Sequence, residues 1–252
     1  MNINSIKDLL YRLADDKLII GHRMSEWIGM GPILEEDIAF ASMAQDEVGH
    51  SQAYYQLLHD LGEDIPDKIA FMRSENEFFC CQLMEYPIGD YAFSLMRHYL
   101  FDMADKVRLK HLAGSRYRPL ASLAQKLSRE EKYHQLHAKT WVQQLSTSTE
   151  EAKLKMQAAL TELYPIAFSM FEPTSHTPQL DADGVQPSED SLMKEWRSEI
   201  EPFLTQTCGL HLPDVTNFID HFGGRSGHHT EYLAPLLKEM TEVFVIDPEA
   251  IW

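Results

Sequence analysis

The chain has 252 residues, of which 44% are hydrophobic, and its formal net charge at pH 7 is -17. No window approaches the roughly 20 uninterrupted apolar residues that a membrane helix needs, and the N-terminus lacks the pattern of a signal or transit peptide. We therefore expect a cytoplasmic protein without a membrane segment. The acidic excess argues against a nucleic acid partner, because a phosphate backbone binds to a basic face, and it favours docking to a more basic protein.

Helical periodicity dominates the chain up to about residue 170. Breaks rich in glycine and proline divide it, the first at residues 29–32, and a run of serine and threonine at residues 146–151 provides a cap for the fifth helix. Residues 63–73 are predicted to be a connector, and residues 76–86 a short helix or an extended piece. The long helices are predicted at about residues 5–28, 34–61, 90–113, 119–145 and from the cap to residue 171.

The remaining third of the chain has a different texture. Residues 172–189 are rich in Pro, Ser, Thr, Asp and Gly and predict an irregular arm. Shorter helices are predicted at about residues 190–204 and 229–243, within a C-terminal part that extends from 190 to 252. The glycine-rich stretch at 223–227 lacks the strand-then-helix setting of a phosphate loop, so no nucleotide cofactor is expected. The fold class is therefore all-α, a single domain over residues 1–252 built as an antiparallel helical bundle with additional C-terminal helices.

Two Glu-x-x-His tetrads interrupt apolar helical stripes in this bundle, Glu47 with His50 and Glu131 with His134. Residues three apart lie on one face of a helix, so each carboxylate and imidazole point the same way. That face is the apolar one, where a buried carboxylate is costly unless it is paired, hydrogen-bonded or bound to a metal ion. Two such pairs in a helical protein predict a carboxylate-bridged dimetal centre built from facing helices.

A dimetal site of this kind needs one further carboxylate from each of the two preceding helices. The interval from Asp102 to Glu131 suits an antiparallel hairpin, and the interval from Glu26 to Glu47 implies a tighter one. Carboxylate and imidazole ligands suit two iron ions or, alternatively, manganese. With three cysteines in the chain, thiolate-bound metal is not expected. No catalytic residue is expected beyond the proposed metal ligands, which are Glu26, Glu47, His50, Asp102, Glu131 and His134.

Simpler interpretations of the same residues stay open. A lone Glu-x-x-His is more often a solvated pair or a hydrogen-bonded core histidine, Asp102 is spaced to pair with Lys106, and Glu26 is compatible with an ordinary surface position. His98 is a candidate for holding a ligand in place. The basic stretch at 106–118 is compatible with an anionic substrate, a partner subunit or a solvated helix face. The joint pattern of two tetrads favours the dimetal hypothesis.

With these motifs the chain resembles a known family, the paired A and C subunits of the bacterial phenylacetyl-CoA ring epoxidase. The resemblance covers nearly the whole length. The stretch at 223–237 and the tripeptide at 25–27 are similar to the C subunit. The motifs at 45–50 and 130–134 are similar to the two ligand tetrads of the catalytic A subunit.

The resemblance implies a ferritin-like fold and a place in a multicomponent monooxygenase. In this family the A subunit activates dioxygen at a di-iron centre and epoxidises phenylacetyl-CoA, whereas the C subunit is a structural partner. We therefore expect an aromatic-CoA epoxidase subunit that carries a di-iron site, binds a sister subunit and a CoA thioester, and receives electrons from a separate reductase. The alternative is a non-catalytic subunit that scaffolds a catalytic sister chain, and a third possibility is a stand-alone ferritin-like oxidase or metal store.

Overall fold

The structure, a computed structural model, describes residues 1–250, and within this range it contains helices, turns and loops but no strand. The all-α prediction is confirmed, and the helices agree with a ferritin-like helical bundle with additional C-terminal helices. None of the helices in the described range is both long enough and apolar enough to cross a membrane. The α-helices are α1 (Ile3–Ser25), α2 (Leu34–Asp60), α3 (Pro66–Phe71), α4 (Gln82–Glu85), α5 (Tyr91–Leu112), α6 (Arg118–Thr147), α7 (Glu150–Ala167), α8 (Thr177–Ala182), α9 (Glu189–Pro202) and α10 (Leu233–Thr241).

The five long helices were predicted within a few residues, and the differences have local causes. The first helix ends at Ser25 because the chain turns there, with Gly29 at a positive φ of 82°. The predicted connector contains α3 and the predicted irregular arm contains α8, and in both a proline occupies the first turn, where its missing N–H is no loss. The last helix begins only at Leu233, because the residues before it are held in side-chain contacts instead.

The described residues form two compact units, and each is treated by itself. The central unit contains Met1–Asn2 and Ile88–Phe222, and the terminal unit contains Ile3–Pro87 together with the chain from Gly223 onward. The single domain over residues 1–252 stays a prediction, and its last two residues lie outside the described range.

The terminal unit is built on an antiparallel hairpin of α1 and α2. Its register is set by two hydrogen bonds between the helices: Ser51 Oγ donates to the Ala14 carbonyl at 2.8 Å and Tyr55 Oη donates to Asp15 Oδ1 at 2.6 Å. Gly21 allows the helices to approach closely, because a Cβ there would lie 3.1 Å from the carbonyl oxygen of Ala44. This register decides which residues of α1 face the tetrad on α2.

The central unit is built on an antiparallel hairpin of α5 and α6, against which α7 and α9 pack. The side chain of Trp196 on α9 is fully buried, and its Nε1 donates to the Leu100 carbonyl of α5 at 3.1 Å. The indole also stacks on Tyr164 of α7, with ring centroids 6.0 Å apart. A buried aromatic side chain with a satisfied N–H fixes α7 and α9 on the hairpin.

The basic stretch on α5 pairs with acidic residues of α9. Lys110 Nζ lies 2.7 Å from Glu195 Oε1, and His111 Nε2 lies 2.7 Å from the other oxygen of the same carboxylate. Arg108 is buried and donates to both oxygens of Glu189. Instead of the three interpretations of this stretch given above, the structure supports a fourth, internal one: these cations hold α9 on α5.

The segment at residues 223–232, here called the C-terminal clasp, packs on the residues before Ile88 within the terminal unit. Arg225 donates in parallel to Asp16, from Nη1 to Oδ1 at 2.8 Å and from Nη2 to Oδ2 at 2.7 Å. Gly224 lies so close to the chain that a Cβ there would be 2.2 Å from the Cys80 carbonyl oxygen. The glycine-rich stretch therefore serves close backbone packing and an ion pair.

A second ion pair of the clasp joins His229 to Glu85. His229 Nδ1 lies 2.7 Å from Glu85 Oε1, both side chains are buried, and Thr230 donates its backbone N–H and its hydroxyl to Glu85 Oε2. Burial by itself lowers the pKa of His229, but the hydrogen bond to Glu85 and the charge of that carboxylate outweigh it, so the pKa is raised above the ordinary value of a histidine.

The stability that the His229–Glu85 pair contributes is expected to depend on pH. Because the folded-state pKa of His229 is raised, the contribution is complete below the unfolded pKa and is lost as the pH rises through the folded pKa. The difference in free energy of unfolding between the wild type and His229→Gln should therefore be larger at a pH of about 6 than at a pH of about 9. Thr230→Val removes a hydrogen bond to Glu85 but no titrating group, so its effect on the free energy of unfolding should be similar at the two pH values. If His229→Gln lowered the free energy of unfolding equally at both pH values, the prediction would be contradicted.

Candidate functional site

In the central unit, α5 and α6 bring three of the predicted ligands together. Asp102, Glu131 and His134 are fully buried, and each offers one ligand atom, with these atoms within 4.8 Å of one another. His134 Nδ1 lies 3.3 Å from Glu131 Oε2, as the i, i+3 spacing requires. The helices present polar groups inward here because the tetrad falls on the same stripe as the buried apolar residues Leu127 and Ala138.

Two further histidines surround this group. His98, one turn before Asp102 on α5, places its Nε2 3.1 Å from Asp102 Oδ2, and its ring centroid is 6.0 Å from that of His134. His137 on α6 lies at the same centroid distance from His98. The predicted role of His98 was to hold a ligand in place, and in the structure the ligand it contacts is the carboxylate of Asp102.

The chemistry of these donors fits a metal ion. Carboxylate oxygens and an imidazole nitrogen are the ligands that iron and manganese take in helical bundles. Buried carboxylates need a cation or hydrogen-bond donors in any case. The residues Asp102, Glu131 and His134 are therefore able to hold one divalent ion within the central unit.

In the terminal unit, the tetrad on α2 faces a lysine of α1. Glu47 is fully buried, and its Oε2 lies 2.8 Å from Nζ of Lys17, whose side chain is 2% exposed. His50, also buried, has its Nδ1 4.0 Å from the same oxygen. A charged ammonium group thus lies against the carboxylate that was predicted to bind metal, whereas Asp102 and Glu131 each lie against a histidine.

Glu26 lies beyond the end of α1, away from the level of Glu47. Its Oε1 accepts from Arg23 Nη1 at 2.7 Å, and its side chain is 28% exposed. The Nζ of Lys17 reaches Glu47, and the backbone of α1 lies against Glu47 at Gly21, where a Cβ would be 3.1 Å from the Glu47 Cβ. Glu26 follows Ser25, the last residue of the helix. Glu26 as a metal ligand stays a prediction that the register of this hairpin does not support.

The residue that the sequence interpretation missed is Lys17, although a signal was present. The interval from Lys17 to Glu47 equals the interval from Asp102 to Glu131 to within a single position. Applying the spacing of the second hairpin to the first would have selected Lys17 or its neighbour instead of Glu26. A lysine is not a metal ligand of the expected type, so residue type alone does not point to this position.

A second group with metal-binding residue types, formed by Cys80, Glu85 and His229, lies at the C-terminal clasp. The possible ligand atoms of this group already make hydrogen bonds to one another or to the clasp, and Glu85 Oε1 and His229 Nδ1 lie 2.7 Å apart. Two ligands of a tetrahedral zinc ion lie about 3.3 Å apart, given bonds of about 2 Å. Burial, reinforced by the charge of Glu85, raises the pKa of the Cys80 thiol well above its usual value. All three cysteines of the chain are free and buried.

Comparisons with known proteins agree over the length of the chain. A family model described as phenylacetic acid catabolic protein matches residues 2–252. The chain is similar to the C subunit of 1,2-phenylacetyl-CoA epoxidase from Escherichia coli (strain K12), with 29% identity over 251 residues. The alignment covers 99% of this chain and 100% of that protein.

Proposed function

Because the chain belongs to the family of phenylacetic acid catabolic proteins, we propose that it is a subunit of a multicomponent enzyme that epoxidises the ring of phenylacetyl-CoA. The full-length similarity to a C subunit of such an epoxidase supports this assignment. The proposed partners are a catalytic sister subunit, a separate reductase and the CoA-thioester substrate. A CoA thioester as substrate supports the proposal that the complex lies in the cytoplasm.

Within this complex, we propose that the chain is the structural partner of the catalytic sister subunit. The observation that carries this role is the buried ion pair between Lys17 and Glu47. A catalytic dimetal centre needs carboxylates that are available to both ions. A carboxylate paired with a buried ammonium at 2.8 Å is engaged by a cation that can neither be reduced nor bind dioxygen.

The second candidate function is that of the oxygen-activating subunit itself, and the buried group Asp102, Glu131 and His134 favours it. In that case these residues and His50 would hold two iron ions together with Glu47 and Glu26, and reduced iron would supply the activation of dioxygen. The central unit fits this ligand set. In the terminal unit, the ammonium of Lys17 against Glu47 and the contact of Glu26 with Arg23 weigh against this candidate.

Co-expression with a catalytic A-type subunit tests the two roles. We expect the chains to purify as one complex, with turnover of phenylacetyl-CoA in the presence of the reductase, and no turnover by this chain with the reductase alone. Elemental analysis of the separated chains should find the di-iron centre in the sister chain. Two iron ions in this chain, together with turnover in the absence of the sister chain, would contradict the structural role.

A complex rebuilt with an inactivated sister chain provides the control. If the metal-ligating histidines of the sister chain are replaced, the structural role predicts an intact complex without turnover. Turnover by that complex would assign the chemistry to the chain described here.

A further inference from the structure

The two hairpins of the chain follow one plan but differ in the residue that faces the tetrad. In α5 and α6, Asp102 precedes the tetrad of Glu131 and lies in the group of possible ligands. In α1 and α2, the residue that precedes Glu47 by nearly the same interval is Lys17. A basic side chain therefore occupies the position at which the other hairpin has an acidic one.

The ammonium group of Lys17 lies where a cation is needed. It is 2.8 Å from Glu47 Oε2, and the two side chains are 2% and 0% exposed. The close approach at Gly21, where a Cβ would lie 3.1 Å from the Glu47 Cβ, brings the helices together at this level. The hairpin thus encloses a carboxylate, an imidazole from His50 and one positive charge.

We propose that Lys17 is a built-in cation that takes the place of a metal ion in the α1–α2 hairpin, and that Lys17→Glu converts the hairpin into a divalent metal site with Glu47 and His50. The inference rests on the proposed structural role and names the residue responsible for it. A second cation is repelled by the ammonium a few ångströms away. The substitution removes that repulsion and supplies the carboxylate that the plan of the other hairpin contains, giving a ligand set suited to Mn²⁺ or Fe²⁺.

The test is the number of Mn²⁺ ions bound per chain, measured by equilibrium dialysis of the full-length protein followed by elemental analysis. Lys17→Glu should bind one ion more than the wild type, whatever number the wild type binds. Lys7→Glu, on the same helix, is the matched control: it makes the same charge change at a partly exposed ion pair with Glu63 and should bind the wild-type number. Adding His50→Ala to Lys17→Glu should remove the gain.

A folded Lys17→Glu with the wild-type number of ions would overturn the proposal. If Lys17→Glu does not fold, Lys17→Gln is used, because it removes the ammonium and leaves the Glu47 carboxylate to attract a cation. Its melting temperature should rise more on addition of Mn²⁺ than that of the wild type. An equal rise would also overturn the proposal.

The outcome is separable from that of the proposed function. A chain that fails to form a complex with the sister subunit loses its proposed role, yet the gain of one ion in Lys17→Glu still supports the built-in cation. A chain that forms the complex but shows no gain keeps its role and loses the inference about Lys17.

Discussion

Glu47→Gln is expected to lower the free energy of unfolding by about 3–5 kcal/mol, the range observed when one partner of a buried ion pair is removed. The substitution leaves the ammonium of Lys17, which is 2% exposed, facing a neutral amide in place of the carboxylate. For a chain of this size the melting temperature should fall by about 10 °C. Urea denaturation followed by circular dichroism measures the first quantity, and a thermal scan measures the second.

The double variant Lys17→Met with Glu47→Leu distinguishes the effect of replacing both partners of the ion pair from the effect of leaving one of them buried and unpaired. Replacing a buried pair by apolar residues is often close to neutral, so the double variant should be more stable than Glu47→Gln. Glu151→Gln is the surface control: the pair of Glu151 with Lys155 is exposed, so we expect a change within about 0.5 kcal/mol. A loss of that small size in Glu47→Gln would mean that the Lys17–Glu47 pair does not stabilise the hairpin.

The burial of the tetrads could be predicted from the sequence, because the apolar period of each helix continues through them. Glu47, Glu131 and His134 are all completely buried, and His50 nearly so. Asp102 also lies in the predicted place, because the short turn between α5 and α6 makes the hairpin register a matter of counting residues. Local periodicity and turn length are therefore sufficient to predict the positions of these residues.

The pairing of Lys17 with Glu47 could not be predicted in the same way. A lysine in an apolar helical stretch usually extends its ammonium to the solvent, so its burial depends on the partner that the neighbouring helix presents. The longer loop between α1 and α2, residues 26–33, left the register of that hairpin open. Residue type alone points to Glu26, whereas the register of the hairpin brings Lys17 to Glu47.

The C-terminal clasp is a further feature that local patterns do not reveal. Its contacts join residues far apart in sequence, such as Asp16 with Arg225 and Glu85 with His229. The sequence predicts a helix from about residue 229, whereas the helix begins at Leu233, and the glycines at 223–227 predict only a break between helices. What the sequence contained was a resemblance to the C subunit, and the structure supplies the physical reason for the glycine at 224 and the arginine that follows it.

The second large effect is expected for Arg225→Met, which should lower the free energy of unfolding by about 3–5 kcal/mol. Arg225 is 5% exposed and Asp16 is 6% exposed, so the substitution leaves a buried carboxylate without its bidentate partner. The N–H of Cys81, 2.8 Å from Asp16 Oδ1, satisfies part of that carboxylate, and the loss should therefore be nearer the lower end of the range. Urea denaturation measures it.

Arg225→Lys distinguishes the charge of this residue from its geometry. A lysine keeps the positive charge but cannot make two parallel hydrogen bonds to one carboxylate, so it should recover only part of the lost stability. Arg197→Met, at a partly exposed pair with Glu201, should change the free energy of unfolding by less than about 1 kcal/mol. If Arg225→Met behaved like this control, the clasp would be held by the packing at Gly224 and the contacts to Glu85, without a contribution from the Arg225–Asp16 pair. If Arg225→Lys were as stable as the wild type, charge without bidentate geometry would be sufficient.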